Sequence, residues 1–366
     1  MPAWAGNVYP EENSMPIKKM AGIVTALLLS SSIPAGQPLA FESPISSPAV
    51  QTRLGANSAL LGTAMAGSRI VAVGLRGLII YSDDAGASWK QAPAPTQSDL
   101  VAVSFPSAKK GWAVGHGGVV LHSADAGATW VRQLDGVKAA ALAVSHYQAS
   151  SAPEAAALLE REKNLQAGGG TQPFLDVYFE SESTGFVVGT FNRIFRTEDG
   201  GKSWTPWMER TDNPGELHFY SIRGRNGSLY LTGEQGTVWR LDTATQRIVS
   251  VPTPYKGTLF GLVVTNTDAV LAFGMRGSLY RSVDQGRNWE KASLGTPAGI
   301  TGGVAMAGGG VLLTTQAGTV TLSRDDGKTF QPLKTARPMA YFGLAPMDDK
   351  RVVLVGAEGI RLESIQ

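Results

Sequence analysis

Short apolar runs separated by turn residues recur along most of the chain. In one stretch, residues 100–105, 111–114 and 119–122 each form an apolar run of strand length, and turn residues bound each run. A further strand at Trp130 makes four in this stretch. The pattern predicts four-stranded antiparallel units, because helices of this length would show a period near 3.6 residues instead.

A glycine-containing turn repeats with a period of 41 residues. Its copies begin at residues 74, 115, 189, 233, 274, 315 and 356, as in Gly74-Leu-Arg-Gly77 and Gly115-His-Gly-Gly118. The intervals between these positions are 41, 74, 44, 41, 41 and 41 residues. Only the second interval is anomalous. It exceeds the period by 33 residues, which places one insertion between the second and third repeats.

A second motif, the Asp-box signature Ser/Thr-x-Asp-x-Gly-x-x-Trp/Phe, follows the turn in five repeats. The Asp side chain can accept backbone N–H groups of its own turn, the Gly permits positive φ, and the aromatic residue packs between blades. We therefore interpret these residues as structural in the first place, with glycan stacking as a much weaker alternative. The positions are Asp84, Trp89, Asp125, Trp130, Asp199, Trp204, Asp284, Trp289, Asp325 and Phe330.

Four-stranded units that recur every 40 residues or so are typical of propeller blades. Seven copies predict an all-β, seven-bladed β-propeller over residues 41–366. The seventh repeat reaches Gln366 after its third strand, which leaves one sheet edge to be covered. We expect residues 48–54 to supply that outer strand and to close the ring.

The insertion at residues 138–170 has a helical composition. Residues 139–150 are rich in alanine, Ser151-Ala-Pro-Glu154 matches a capping box, and residues 155–166 continue with helix formers before three glycines. A small helical hairpin is therefore predicted between blades 2 and 3. It would pack on the propeller through Leu158, Leu159 and Leu165, either as a functional projection or as a cap over the central channel.

Antiparallel alternation predicts that the glycine-containing turns share one face with the blade-to-blade loops, opposite the Asp boxes. This face is the candidate surface for a partner. The residues of interest there are Arg76, His116, Arg193, Gln235 and Arg276. The sequence leaves two interpretations of this set open: a surface patch for a protein partner, or ordinary solvated turn residues.

Composition and charge narrow the function classes. The formal net charge is only +2 and no dense Lys/Arg stripe occurs, so nucleic acid is not an expected partner. The absence of cysteine excludes disulfides, thiolate catalysis and cysteine-ligated metals. His116, His122, His146 and His218 show no ligand spacing, so we expect no metal and no cofactor.

The first 40 residues read as an export signal. Lys18 and Lys19 precede an apolar run at residues 20–29, and small residues follow up to Ala35 and Ala40. The run is about half the length of a membrane-spanning helix. We predict translation from Met15, cleavage after Ala35 or Ala40, and a periplasmic protein, with a secreted or membrane-peripheral location as the alternatives.

The rival function is a sialidase-like glycoside hydrolase or a glycan-binding propeller, because Asp boxes and arginine-lined mouths occur in such proteins. A sialidase needs a Tyr nucleophile with a Glu partner, and Tyr341 has no identifiable Glu partner. The Arg-Ile-Pro context is also missing, since Arg69-Ile70 precedes Val71. We therefore predict no catalytic residue and no enzyme activity.

Two segments carry a family resemblance. Residues 111–130, Gly-Trp-Ala-Val-Gly-His-Gly-Gly followed by Ser-Ala-Asp-Ala-Gly-Ala-Thr-Trp, and the matching segment at residues 185–204 closely resemble the photosystem II stability/assembly factor family. The resemblance covers residues 58–366 apart from the insertion. It implies a seven-bladed propeller without enzyme activity that binds membrane-protein subunits and assists complex assembly, with basic residues on one face involved.

The insertion departs from the photosynthetic members. It is similar to non-photosynthetic bacterial relatives, which are commonly associated with RND-type membrane transporters. We therefore expect a monomeric, exported scaffold whose partner is a membrane protein or a membrane-complex subunit, an RND-type transporter being the named candidate.

Overall fold

Seven antiparallel sheets follow one another along the chain in the computed structural model, which describes residues 42–365. Six of the sheets have four strands and the seventh has three, and within each sheet consecutive strands are neighbours. The first strands of successive sheets contact one another around a central axis, and the first strand of the last sheet contacts that of the first. The fold is the predicted seven-bladed β-propeller, with the predicted helices after the second blade.

Blades 1 to 6 have four strands each and blade 7 has three. Blades 1 to 3 contain β1 (Leu60–Ala66), β2 (Arg69–Gly74), β3 (Ile79–Ser82), β4 (Lys90–Gln91), β5 (Leu100–Ser104), β6 (Gly111–Gly115), β7 (Val120–Ser123), β8 (Val131–Leu134), β9 (Phe174–Phe179), β10 (Gly185–Gly189), β11 (Ile194–Thr197) and β12 (Thr205–Pro206). Blades 4 and 5 contain β13 (Phe219–Arg225), β14 (Ser228–Gly233), β15 (Val238–Asp242), β16 (Arg247–Ser250), β17 (Leu259–Val264), β18 (Val270–Gly274), β19 (Leu279–Ser282) and β20 (Glu290–Ala292). Blades 6 and 7 contain β21 (Ile300–Ala305), β22 (Val311–Thr315), β23 (Val320–Ser323), β24 (Gln331–Leu333), β25 (Tyr341–Pro346), β26 (Arg351–Gly356) and β27 (Gly359–Ser364).

The apolar core lies between neighbouring blades. Every residue of the second strand is buried in blades 2, 3, 5 and 6, because this strand is covered by sheets on both sides. Trp112 of blade 2 stacks on Phe179 of blade 3, with ring centroids 3.6 Å apart and planes 9° apart. Trp130 packs in a cluster that joins blades 1 and 2. Large rings in these seams explain why isolated sheets of this kind associate into a ring.

The prediction for the outer strand of blade 7 is wrong. Residues 48–54 run beside blade 1 instead, where the Ala49 N–H donates to the Ala94 carbonyl at 2.9 Å. The Gln91 amide accepts from the Thr52 N–H at 2.8 Å and donates to the Val50 carbonyl at 3.0 Å. The Gln91 side chain therefore binds backbone groups of Val50 and Thr52 that would have to pair with β27 if this segment were the outer strand of blade 7. Blade 7 has three strands among residues 42–365.

The five Ser/Thr-x-Asp turns share one set of hydrogen bonds. In the turn at Asp325, the Ser323 hydroxyl donates to the Asp carboxylate at 2.8 Å and accepts from the Gly327 N–H at 2.8 Å. The Thr329 N–H and hydroxyl donate to the same carboxylate at 2.9 and 2.6 Å. Similar bonds from Ser88 lower the pKa of Asp84 to about 2, because they favour the charged carboxylate. The turns are therefore held by local polar contacts.

Two helices form the insertion, α1 (Gly136–Ala149) and α2 (Ala155–Ala167). Asp135 caps α1 by accepting the Lys138 N–H at 3.0 Å. The capping box predicted from Ser151 is not formed, because α2 begins at Ala155 with Glu154 at the N-cap position, three positions after Ser151, and has no side-chain cap. Leu158 and Leu159 pack in the core cluster of blades 2 to 4, as expected from the sequence.

Residues 1–41 and Gln366 lie outside the described part of the chain. The predicted signal, the start at Met15 and the cleavage positions Ala35 and Ala40 fall there. No helix within residues 42–365 is long and apolar enough to cross a membrane.

Candidate functional site

The turns between the second and third strands lie at the same end of the propeller as the blade-to-blade connections. Because neighbouring strands are antiparallel, the Ser/Thr-x-Asp turns lie at the opposite end. We call these two ends the turn face and the Asp face. The turn face is defined by the turns at residues 74–77, 115–118, 189–193, 233–236, 274–277, 315–318 and 356–359.

Three of the predicted residues occupy one special backbone position on the turn face. Arg76, Gln235 and Arg276 have φ values of 55°, 55° and 58°, in the left-handed region. The glycine that follows is also left-handed, and a Cβ on Gly77 would lie 1.9 Å from the Thr96 carbonyl oxygen. The tight turn thus directs the three side chains into solvent, and all three residues are exposed. The turns place polar side chains where a partner can reach them.

His116 precedes that position in blade 2 and is also exposed. Its Nδ1 lies 3.7 Å from a carboxylate oxygen of Asp99. The other oxygen of Asp99 accepts the backbone N–H of Arg76 at 2.8 Å. Asp99, in the connection between blades 1 and 2, therefore links Arg76 and His116.

Arg193 does not belong to this exposed group, which corrects the sequence-based expectation. Its side chain is 1% exposed, and Nη1 contacts Oε2 of Glu162 in α2 at 2.8 Å; the Glu162 side chain is 0% exposed. Burial lowers the pKa of Arg193, and the carboxylate of Glu162 opposes that shift. The third turn has the same length as the others, since the Gly189 N–H donates to the Arg193 carbonyl as the Gly74 N–H donates to the Leu78 carbonyl, both at 2.9 Å. Phe191, with a φ of 53°, therefore holds the position of Arg76, and Arg193 holds the buried position of Leu78, next to the helical insertion. Arg76, Arg193 and Arg276 therefore do not surround one mouth, as the three arginines of a sialidase-like site would.

The helical insertion is fixed to blade 3 and to the segment that follows it. The Tyr147 hydroxyl donates to Oε2 of Glu209 at 2.8 Å, and burial together with that carboxylate raises the pKa of Tyr147. Arg161 pairs with Glu216 at 2.5 Å. None of the residues that line the central cavity comes from α1 or α2. The insertion therefore packs over blade 3, and the capping of the channel considered from the sequence is not its arrangement.

The channel mouth on the turn face carries a feature that the sequence analysis missed. In every blade the first strand has a β-bulge at its second residue, so that this residue has no partner in the ladder. All seven bulge residues line the same central cavity of about 200 Å³. We call them the channel mouth: Leu61, Val101, Leu175, Tyr220, Phe260, Thr301 and Phe342.

A sequence signal for the channel mouth exists. Six of the seven bulge residues are apolar or aromatic, and a small residue follows in six of the seven cases, as Gly62, Ala102, Ser221, Gly261, Gly302 and Gly343. In these six strands, the bulge residue and the small residue after it break the period-two alternation of the strand. Bulges are common where a strand must redirect a side chain.

Aromatic side chains extend from the channel mouth towards blade 3. Phe191 packs edge to face against His218 with centroids 4.4 Å apart. His218 lies 6.1 Å from Tyr220, which lies 6.1 Å from Phe260. Phe191 is 48% exposed and has a φ of 53°, a strained conformation for a bulky residue. Strain of this kind is often found at binding sites.

An ion pair lies deeper in the channel. Arg223 pairs with Asp176 at 2.5 Å, and the same carboxylate oxygen accepts the Ile222 N–H at 2.9 Å. The turn face therefore combines an apolar and aromatic mouth with polar side chains around it. Such a combination suits a polypeptide better than a small polar substrate.

The tyrosine weighed for a sialidase-like hydrolase does not line the central cavity. Tyr341, the tyrosine weighed for a hydrolase, is 0% exposed and packs in the core of blades 6 and 7, while its neighbour Phe342 lines the cavity. No group of three or more His, Asp or Glu side chains within residues 42–365 could hold a metal ion.

Comparison with known proteins gives a family and a fold. The sequence model described as "Photosynthesis system II assembly factor YCF48" matches residues 49–144 and 161–301, a match interrupted within the helical insertion. No curated protein matches the chain.

Several solved structures share the architecture. YCF48 bound to D1 peptide is 17% identical, with a TM-score of 0.64 over 88% of this chain and 100% of that chain. YCF48 from Cyanidioschyzon merolae is 18% identical, with a TM-score of 0.60 over 87% and 98% of the two chains. A streptogramin B lyase is 14% identical, with a TM-score of 0.64 over 85% and 95%. At these identities the likeness establishes the fold alone.

Proposed function

The chain belongs to the Photosynthesis system II assembly factor YCF48 family, and from this premise we propose that it is a non-enzymatic scaffold that binds a partner protein. One matching structure is YCF48 bound to D1 peptide, so a propeller of this family binds a peptide. The partner proposed here is a membrane protein or membrane-complex subunit, whose assembly or stability the propeller assists. An RND-type transporter remains the sequence-based prediction for that partner.

The channel mouth carries the proposal. Seven repeated bulges direct mostly apolar side chains to one opening, and Phe342 there is 37% exposed. Exposed aromatic side chains surrounded by polar residues are typical of protein-binding surfaces, because burying them on association removes apolar area from water. Arg76 and Arg276 stand on blades 1 and 5 of the same face and would contact the partner at the rim.

We propose the same location as the sequence predicts, an exported and periplasmic protein. The support is the basic and apolar pattern of residues 18–29. The test is mass spectrometry of the mature N-terminus in a periplasmic fraction of the native host. A terminus at Gly36 or Phe41 supports export, and an intact N-terminal segment in the cytoplasmic fraction overturns it.

The binding proposal is tested by affinity capture from solubilised membranes of the native host, with tagged protein that begins at Gly36. Three proteins are compared: wild type, Arg76→Glu/Arg276→Glu on the turn face, and Arg324→Glu/Lys328→Glu on the Asp face as a matched control. All four residues are exposed, so each double variant should fold, which circular dichroism and thermal unfolding verify.

We expect wild type and the Asp-face variant to capture the same membrane protein in similar amounts. The turn-face variant should capture less of it by a factor of roughly five or more, because two rim charges change sign. Equal capture by the turn-face variant would remove the turn face as the binding surface. Failure of wild-type protein to retain any membrane protein would overturn the scaffold function itself.

A further inference from the structure

Helix α1 has a second face that the propeller does not cover. Its buried side, which includes Ala139, Ala143 and Tyr147, packs on the propeller. A different side presents Lys138, Ala141, Leu142 and Ser145, at the i, i+3, i+4 and i+7 spacing of one helical stripe. These four residues form one wall of an open groove of about 430 Å³.

The opposite wall comes from the outer strands of two blades. Gln133 and Leu134 end β8, and Lys202 to Trp204 precede β12. Gln133 links blades 2 and 3 in this wall, because its side-chain amide accepts from the Trp112 indole N–H at 3.0 Å and donates to the Gly200 carbonyl at 2.8 Å. The groove is therefore built on fixed elements, which reduces the entropy lost when a ligand binds.

The floor of the groove is apolar and contains one unsatisfied donor. Leu134 and Trp204 are 2% and 5% exposed, while Leu142 on the wall is 40% exposed. The indole N–H of Trp204 is buried without a hydrogen-bond partner among the described residues. In the preceding repeat, the Trp130 indole donates to the Gly127 carbonyl at 3.0 Å. The Trp289 indole N–H of the fifth repeat is likewise buried without a partner among the described residues, so the third and fifth repeats both leave free a donor that the second repeat satisfies internally.

The charge of the groove has one sign. Lys138 and Lys202 are exposed, and neither is within ion-pair distance of a carboxylate in the described part of the chain. No Asp or Glu is among the residues that line the groove. The complementary ligand therefore carries negative charge next to an apolar group.

From these observations we propose that the α1 groove is a second docking site, which binds an extended acidic segment with an apolar side chain at its centre. The proposal rests on the proposed function, since that segment belongs to the partner protein. The stripe from Lys138 to Ser145 is about 10 Å long, the length of roughly three extended residues. The apolar side chain would enter between Leu142 and Trp204, and acidic side chains would reach the two lysines.

The test uses a phage-displayed library of random peptides against the full chain from Gly36, so that it does not depend on the native partner. Selected peptides are synthesised and their affinity is measured by fluorescence anisotropy. The variants are Lys138→Glu/Lys202→Glu, the charge-preserving Lys138→Arg/Lys202→Arg, and Arg76→Glu/Arg276→Glu on the turn face. Because the lysines are exposed, their replacement should leave thermal unfolding unchanged.

We expect peptides with Asp or Glu beside Leu, Ile or Phe. Their affinity should fall about tenfold or more in the charge-reversed groove variant and persist in the arginine variant and in the turn-face variant. Selection of no peptide, selection of peptides without acidic residues, or equal affinity for the charge-reversed groove would each overturn the proposal. Capture of the native partner is a separate readout of the turn face, so the failure of either idea is recognisable.

Discussion

Glu162 is the residue whose removal should reveal most directly how the helical insertion is held. Its carboxylate is the ionic partner of Arg193 at 2.8 Å, and it also contacts Arg161 at 3.0 Å. Nε and Nη2 of Arg193 are already without hydrogen-bond partners among residues 42–365. In Glu162→Ala, the buried guanidinium would lose its principal partner and face an apolar surrounding, with the Phe195 ring 5.1 Å away.

The expected cost follows from the burial of both groups. Removing one partner of a fully buried ion pair lowers the free energy of unfolding by about 3–5 kcal/mol, because the remaining charge stays desolvated. Replacing both residues by apolar ones of similar volume is often neutral or stabilising. We therefore expect Glu162→Ala to be strongly destabilising and Glu162→Leu/Arg193→Met to recover most of the loss.

The assay is urea unfolding followed by tryptophan fluorescence, together with limited proteolysis of the segment between α1 and α2. Lys163→Ala is the matched control, because Lys163 is the next residue of α2, is exposed, and within residues 42–365 forms an ion pair only with Glu160. It should leave the unfolding midpoint nearly unchanged. If the free energy of unfolding of Glu162→Ala lies within about 1 kcal/mol of the wild-type value, the pair does not anchor the insertion. A double variant that is less stable than Glu162→Ala would contradict the reasoning from desolvation.

Three further predictions follow from the turns and the channel mouth. Hydrogen bonds from Ser88 and Asn288 lower the pKa values of Asp84 and Asp284 to about 2, so the stability that these carboxylates provide is present above pH 3.8 and is lost as the pH falls towards 2. In an acid titration, the stability of Asp84→Asn/Asp284→Asn should therefore fall less steeply with pH than that of wild type. An equal slope in the two proteins would contradict this. Gly77→Ala should lower the free energy of unfolding in urea by at least about 1–3 kcal/mol, because φ is 72° and the new Cβ would lie 1.9 Å from the Thr96 carbonyl oxygen. Gly168→Ala is the control and should be nearly neutral, because its Cβ would meet only contacts of 3.4 Å or longer. Phe342→Ala should reduce partner capture severalfold without changing the melting temperature, because the side chain is 37% exposed at the channel mouth; undiminished capture would exclude the mouth from the interface.

Local chemistry that repeats along the chain was predictable from the sequence. The glycines at residues 74 and 77 and their counterparts set the tight turns and therefore the count of seven blades. The anomalous interval placed the insertion, and its alanine-rich composition predicted the two helices, whose observed bounds agree with the prediction within a few residues. These features depend on neighbours within a few positions, which a single sequence displays directly.

What only the tertiary structure decided depends on residues far apart in the chain. Arg193 looked equivalent to Arg76 and Arg276, yet Glu162, 31 positions earlier, holds it inside the protein. The bulges bring together seven residues, from Leu61 to Phe342, that lie in seven different blades. Residues 48–54 pair with Gln91 of blade 1, a choice between two sheet edges that sequence spacing leaves open. The sequence by itself determined the repeating unit and its number. Long-range packing decided which side chains are buried and which come together on the turn face, because the free energy of these arrangements depends on partners that only the closed ring assembles.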